Sequence, residues 1–276
     1  MKNITLNLYD DHCTKNTRCR HFALLFMFHN YLFTDDTNEN FYGDKYTEFC
    51  KLPEFPGHFV SFNKNNPRHP SAIIDFEKYN TFNDYFEKLP SNVVRDFDIS
   101  KNKKYIFEEF TYKNYIPDIC EINKSTLKRK SKLNKYYLRT VEEMGGYPKI
   151  EAPIENPACS LHNTRWYGVF RYLKKYKQGS IETNKKLIAY CGVARDGELS
   201  CVTFLFGHTD YLRDGVMFYL LINIIKSLSR LKNKPRCLQY WSLSSALEKG
   251  GLVPWKKRML FEPANLFANK IGGLNG

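Results

Sequence analysis

The stretch FLFGHTDYLRDGVMFYLL, residues 204–221, holds the residue types best suited to chemistry. A strand-like run, Phe204, Leu205, Phe206 and Gly207, leads into a polar elbow with one glycine, Gly215, and then into a long apolar run that reads as a buried helix. A helix opening at such an elbow offers unpaired N–H groups and a partial positive charge, which suit a phosphate. Leu212, Arg213, Asp214, Gly215 and Val216 would form that cradle. His208, Asp210 and Tyr211 stand at its mouth, and Tyr240 lies on the next strand-like segment. These are side chains that move protons. The plain alternative is a turn in which His208 bonds to backbone and Asp210 caps the helix.

Two basic clusters come next. One contains Lys128, Arg129, Lys130 and Lys132, the other Lys174 and Lys175, and Arg165, Trp166 and Tyr167 lie between them. Cations neutralise phosphates and rings stack on bases, so this pattern fits a single-stranded nucleic acid. It equally fits a solvated charged face. DHCTKNTRCRH (11–21) gathers His12, Cys13, Cys19 and His21, but the spacing matches no common zinc knuckle, so no metal is expected. The eight cysteines form no CxxC pair and read as free thiols in a reducing compartment. A catalytic cysteine is not expected, because none sits beside a His and an acid in a recognisable elbow.

The elements that position these groups follow from periodicity. SAIIDFEKYNTFNDYFEKL reads as a short strand and then a helix from near Thr81. Residues 103–112 read as a strand and 116–132 as a helix, with Pro117 at its first turn. Residues 160–177 read as a second helix. Two apolar runs joined by Arg195-Asp196-Gly197-Glu198 predict a hairpin, since Asp-Gly suits its turn. Helix 216–230, strand 236–243, a short helix and a last strand at 261–267 complete the order. A mixed sheet with helices on both faces accommodates it. The piece 200–243 has the length of one right-handed parallel crossover.

At 276 residues the chain is one large domain or two small ones, with a boundary in the turn-rich stretch 53–70. Hydrophobic content of 42% excludes a disordered chain. A formal net charge of +13 attracts polyanions without choosing among nucleic acid, membrane and phosphorylated ligands. MKNITLNLYDDH lacks a signal-peptide profile, and the early apolar run at 22–33 is too short to span a bilayer. The expectation is a cytoplasmic protein without a membrane partner, in host cytoplasm if the gene is phage-borne.

The hairpin LIAYCGVARDGELSCVTFLFG, the elbow HTDYLRDGVM and the terminal GLVPWKKRMLFEPANL together resemble the GNAT superfamily of acyl-CoA N-acyltransferases, nearest its divergent FemAB-like branch. The resemblance covers about residues 100–267. It implies an α/β (α+β) fold: a GNAT-like mixed, mostly antiparallel twisted sheet flanked by helices on both faces. It divides the chain into a cap or decayed half-domain at 1–100 and an acyltransferase domain at 101–276.

In that family the strand before the elbow splays from its neighbour, the donor's pantetheine arm pairs with its free edge, and the elbow amides take the pyrophosphate. On this chain the arm strand would be Phe204 to His208. The family's phosphate loop, Q/R-x-x-G-x-G/A, keeps only Gly215, with Leu212 and Met217 at the other two positions. FemAB-type relatives lack the loop and draw on aminoacyl-tRNA. The resemblance therefore implies acetyl-CoA or another acyl-CoA, or aminoacyl-tRNA, as donor. The acceptor is an amine, and the basic clusters make a DNA- or tRNA-linked one fitting. His208 or Asp210 would deprotonate the amine, and Tyr211 or Tyr240 would protonate the leaving group. The other reading is a GNAT-shaped module without catalysis that holds nucleic acid or a protein.

Overall fold

A computed structural model describes residues 2–7, 71–125, 138–157, 159–243 and 251–268. Its centre is an eight-stranded sheet. In chain order the strands are β1 (Lys2–Leu6), β2 (Ser71–Asp75), β3 (Ile106–Glu109), β4 (His162–Tyr172), β7 (Lys185–Asp196), β8 (Leu199–Gly207), β9 (Cys237–Ser242) and β10 (Glu262–Ala268). A two-stranded ribbon, β5 (Lys177–Gln178) and β6 (Ile181–Glu182), stands apart. The sheet order is β1-β10-β2-β9-β8-β7-β4-β3. Five of its seven neighbour pairs are antiparallel; β1–β10 and β8–β9 are parallel. The sheet is therefore mixed and mostly antiparallel, as expected. Two strands from the first hundred residues, β1 and β2, belong to it beside β10 and β9.

Helices cover both faces. On one lie α1 (Phe82–Glu87), α2 (Ser91–Asn102) and α4 (Val216–Ser229). Thr81 caps α1 with a reciprocal bond to Asp84, which explains why that helix starts where it does. α4 buries Val216, Leu220, Leu221, Ile224, Ile225 and Leu228 against the sheet, with Val169, Ala189 and Cys191 in the same cluster. On the other face α3 (Ile116–Ser125) sets Ile119 and Ile122 against Phe170, Leu187 and Tyr190. α5 (Leu252–Arg258) precedes the last strand. Among the described residues no helix is long and apolar enough to cross a membrane.

The stretch 160–177 corrects the sequence reading. It is the eleven-residue strand β4 and a basic turn, not a helix. β4 lies between β3 and β7 and is buried on both sides, Tyr167 and Val169 with the α4 cluster and Phe170 with the α3 cluster. A strand covered on both faces carries apolar residues at adjacent positions and loses the alternation that would announce it. Gly168 belongs there because a Cβ would come within 2.5 Å of Leu187 Cδ1.

The β7–β8 hairpin turns where Asp-Gly predicts, with Gly197 at φ +57. The strand–elbow–helix–strand crossover is present, β8 and β9 being parallel with α4 between them in sequence.

Candidate functional site

β8 and β9 stay together for three residue pairs, Leu199 with Cys237, Ser200 with Leu238 and Cys201 with Gln239. β8 then continues beside β7 to Gly207, which pairs with Ala189. Among the described residues, positions 202 and 204 to 207 of β8 have a ladder partner on the β7 side and none on the β9 side. Two irregularities flank the point where the strands part. The β7–β8 register shifts at Gly192/Val193, with Thr203 as the extra residue, its hydroxyl 3.0 Å from the Gly192 carbonyl. β9 turns at Trp241, whose φ is +52. An open strand edge of this kind pairs readily with an extended, amide-bearing ligand.

The elbow closes the open end. After His208 a 3-10 turn, Thr209–Asp214, leads to Gly215 at φ +78 and into α4, whose start no side chain caps. The last residues of α2 and the chain after it fasten this elbow. Ser100 Oγ donates to the Asp214 carbonyl at 2.6 Å, Tyr105 donates to the Asp214 carboxylate at 2.6 Å, and Lys103 pairs with the same carboxylate. A Cβ on Gly215 would sit 2.0 Å from the carbonyl oxygen of Asp96 in α2. Burial works to raise the Asp214 carboxyl, but the bonds from Lys103 and Tyr105 outweigh it and hold the group below the usual carboxylate range. Burial, and then the bond to Asp214, push the Tyr105 phenol up. The Asp214 carboxylate is thus ionised and compensated, with Lys103 paired to it and Arg171 acting on it as well.

The acid–base candidates divide by geometry. His208 is buried; its Nδ1 accepts the Asp210 N–H at 3.2 Å, and its Nε2 lies 3.3 Å from Glu121 Oε1. Both ring nitrogens have a partner, one in the backbone of the elbow and one on α3. Asp210 is exposed, with Oδ2 3.8 Å from His208 Nδ1. Tyr211 is half-buried and packs edge-on to His208 and Tyr105, ring centroids 5.5 and 6.2 Å away. Tyr240 lies on the other arm of the divergence, edge-on to Trp255. The Nζ of Lys256 donates to the Tyr240 carbonyl at 2.7 Å and sits 4.1 Å from its ring centroid.

Along β8, Phe204 stacks on Trp166 (5.3 Å) and Phe206 packs near Tyr190 (5.6 Å), while Leu205 and Leu212 contact the α4 cluster. Gly207 lets strand and helix approach, since a Cβ there would meet Met217 Sδ at 2.4 Å. Val216 is fully buried and Arg213 exposed.

Of the basic candidates, Lys128, Arg129, Lys130 and Lys132 lie outside the described residues, as do His12, Cys13, Cys19 and His21. Arg165 is paired with Glu109, 2.7 Å to each carboxylate oxygen. Tyr167 is buried against Phe107, and burial pushes its phenol up to about 12. Lys174 and Lys175 are exposed on the turn after β4. β4 ends beside the start of β7, where Lys185, Lys186 and Leu187 pair with Tyr172, Arg171 and Phe170, and β8 ends there too. The basic turn and the elbow therefore share one end of the sheet. Among the described residues no group of three His, Cys, Asp or Glu is placed to hold a metal.

Sequence reasoning missed α2, whose signal was Pro90 followed by Val93, Val94 and Phe97 at helical spacing. It missed Asp118, one of the ties that hold α3 to the sheet. Its carboxylate is buried and accepts the Leu187 N–H at 2.7 Å and the Tyr176 hydroxyl at 2.6 Å. Asp118→Ala strands both donors in the interior and should lower the unfolding free energy by about 3 kcal/mol, read by urea denaturation. A loss under about 1 kcal/mol would mean that neither bond survives in solution.

In fold the chain is similar to FemX, with a TM-score of 0.48 and 10% identity over 81% of this chain and 67% of that one. It is similar to a tandem GNAT protein from the clavulanic acid biosynthesis pathway, with a TM-score of 0.38 and 12% identity over 72% of this chain and 51% of that one. It is also similar to L-PGS from Bacillus licheniformis, with a TM-score of 0.39 and 10% identity over 71% of this chain and 57% of that one. All three are GNAT-like folds. The matched part spans between about half and two thirds of their lengths. No protein-family model matches the sequence, and no curated protein does.

Proposed function

We propose that the chain is a GNAT-like transferase that moves an aminoacyl or acyl group onto an amine, with the donor lying along the open edge of β8 between residues 202 and 207. The observation that carries this reading is the divergence of β8 from β9, which opens toward an elbow at a helix N-terminus. An extended donor arm pairs there with backbone amides and carbonyls, and its reactive carbonyl is held at a fixed depth between the two arms. The amine enters from the end of the sheet that carries Tyr211 and the basic turn. Asp210, exposed at the mouth, takes the amine's proton, and Tyr211 or Tyr240 returns one to the leaving group. His208 holds the turn that presents Asp210. Most of the acceleration comes from positioning.

The elbow favours one donor class. The Gly215 N–H is already given to the Leu212 carbonyl, and the Asp214 carboxylate beside it is paired with Lys103, so the elbow presents a pyrophosphate with neither that amide nor that ammonium free. Coenzyme A therefore fits the edge of β8 but fits the elbow poorly. An aminoacyl-tRNA delivers its ester without a pyrophosphate at that point, and Lys174, Lys175 and Arg171 at the same end suit its backbone.

A thermal-shift titration with bulk aminoacyl-tRNA, acetyl-CoA and free coenzyme A tests this. Ligand at one hundred times its Kd adds about 2.7 kcal/mol. In a chain of this size that is a rise of roughly 5–10 °C. The expected result is a rise with aminoacyl-tRNA that collapses as salt increases. A rise with acetyl-CoA alone would overturn the donor assignment. No rise with any of them would sink the transferase reading.

A further inference from the structure

At the opposite end of the sheet from the elbow, strand pairing builds a second cluster. His162 opens β4 and stands directly across the ladder from Asp196, the last residue of β7. Directly opposed residues have Cβ atoms about 5 Å apart. The imidazole Nε2 lies 3.0 Å from Asp196 Oδ1, and its Nδ1 lies 3.4 Å from Cys159 Sγ. The loop that carries Cys159 is fastened. Asn163 Nδ2 donates to the carbonyls of Cys159 (3.1 Å) and Ser160 (2.9 Å), and the Gly197 N–H donates to the Leu161 carbonyl (2.9 Å). Thiol, imidazole and carboxylate are thus held in a row on a rigid strand end, the order in which a base activates a nucleophile and an acid orients the base.

We propose that Cys159, His162 and Asp196 form a second reactive centre, in which Cys159 accepts an acyl group from a thioester. β8 alone separates this end from the elbow by nine residues, roughly 25–30 Å. The centre stands whether or not the elbow binds a donor.

Asp196 is wholly buried, and His162 and Cys159 are 7% and 9% exposed, with the exposed Ser160 next in the chain. Both Asp196 oxygens lie out of reach of solvent, and the imidazole, 3.0 Å away, meets this charge. Burial raises the Asp196 carboxyl against the pull of His162, leaving it at about 6, so the carboxylate is ionised at neutral pH and favours an imidazolium. An imidazolium in turn favours the thiolate. Among the described residues, the buried Arg195 interacts with Cys159 and beyond it with Arg165 and Tyr167, and the Cys201 thiol interacts with Asp196. Burial raises the thiols of Cys120, Cys191, Cys201 and Cys237, which disfavours their thiolates.

The step balances without a further reactant. His162 Nδ1 takes the Sγ proton, and the thiolate's electron pair forms a bond to the thioester carbonyl carbon. The donor's carbon–sulfur bond breaks, and the departing sulfur keeps that pair and receives the proton from Nδ1. A free thiol and an S-acylated Cys159 result.

The test uses the intact chain. Iodoacetamide labelling from about pH 5 to about pH 9, read residue by residue by mass spectrometry, should modify Cys159 at least about tenfold faster at neutral pH than the four raised thiols. Its rate should hold as pH drops below the usual thiol inflection at about 8.5. His162→Gln should slow it about tenfold or more. Acetyl-CoA should leave one acetyl group on Cys159, removed by hydroxylamine and absent in Cys159→Ser. If Cys159 reacts no faster than its neighbours, or titrates near 8.5, the reactive centre is refuted. That holds from the wild-type profile even where His162→Gln fails to fold. Rapid alkylation without acetylation would remove the thioester assignment.

Discussion

Gly215→Ala should lower the unfolding free energy by about 2–6 kcal/mol and the melting temperature by roughly 10 °C. Two costs combine. Gly215 sits at φ +78, where a residue with a Cβ is strained by about 1–3 kcal/mol. The new Cβ would also lie 2.0 Å from the Asp96 carbonyl oxygen, a backbone atom of α2 that cannot swing aside. Helix and elbow must part, which costs a further 1–3 kcal/mol or so. Gly146→Ala separates the two. Gly146 has φ +86 and open space where its Cβ would stand, so that variant carries the dihedral cost alone, about 1 kcal/mol. If urea denaturation gives both variants the same loss, α2 does not press on the elbow.

The contact between α2 and the elbow shows why a single chain reveals some of this architecture and hides the rest. The hairpin at Asp196-Gly197, the capped helix after Thr81 and the apolar α4 rest on local rules, and each appears where those rules place it. The elbow is legible for the same reason, since strand, polar turn, glycine and helix follow one another within eighteen residues. What holds the elbow is not local. Ser100, Lys103 and Tyr105 reach Asp214 across more than a hundred residues, and no spacing rule links them. β4 misleads because its neighbours bury both of its faces and erase its alternation. The Cys159–His162–Asp196 row is hidden differently. Cys159 and His162 are three residues apart, but the acid arrives from another strand through the β4–β7 register. A search for a cysteine elbow passes over it.

The open edge of β8 depends on β9 staying turned away, and Lys256 sits where that turn is made. It is wholly buried, with its ammonium bonded to the Tyr240 carbonyl and lying over the Tyr240 ring, one residue before Trp241 takes φ +52. Lys256→Met keeps the length and apolar stem but removes the charge. The loss of a charged hydrogen bond costs about 1.5–3 kcal/mol, and the lost cation–π contact adds about 1–2. Against this, the variant no longer desolvates an ammonium, which offsets part of the cost. The hydrogen bond should win, because the Tyr240 carbonyl would lose a charged donor in the interior. The expected net loss is about 2 kcal/mol. Amide exchange in residues 237–242 should quicken about tenfold, while that in α4 holds. A variant as stable as the parent, with unchanged exchange, would mean that the Thr203 bulge on β8 separates the strands by itself. If exchange quickens and the thermal shift with aminoacyl-tRNA shrinks in step, the width of the divergence is what the donor recognises, and Lys256 sets it without touching the reacting atoms.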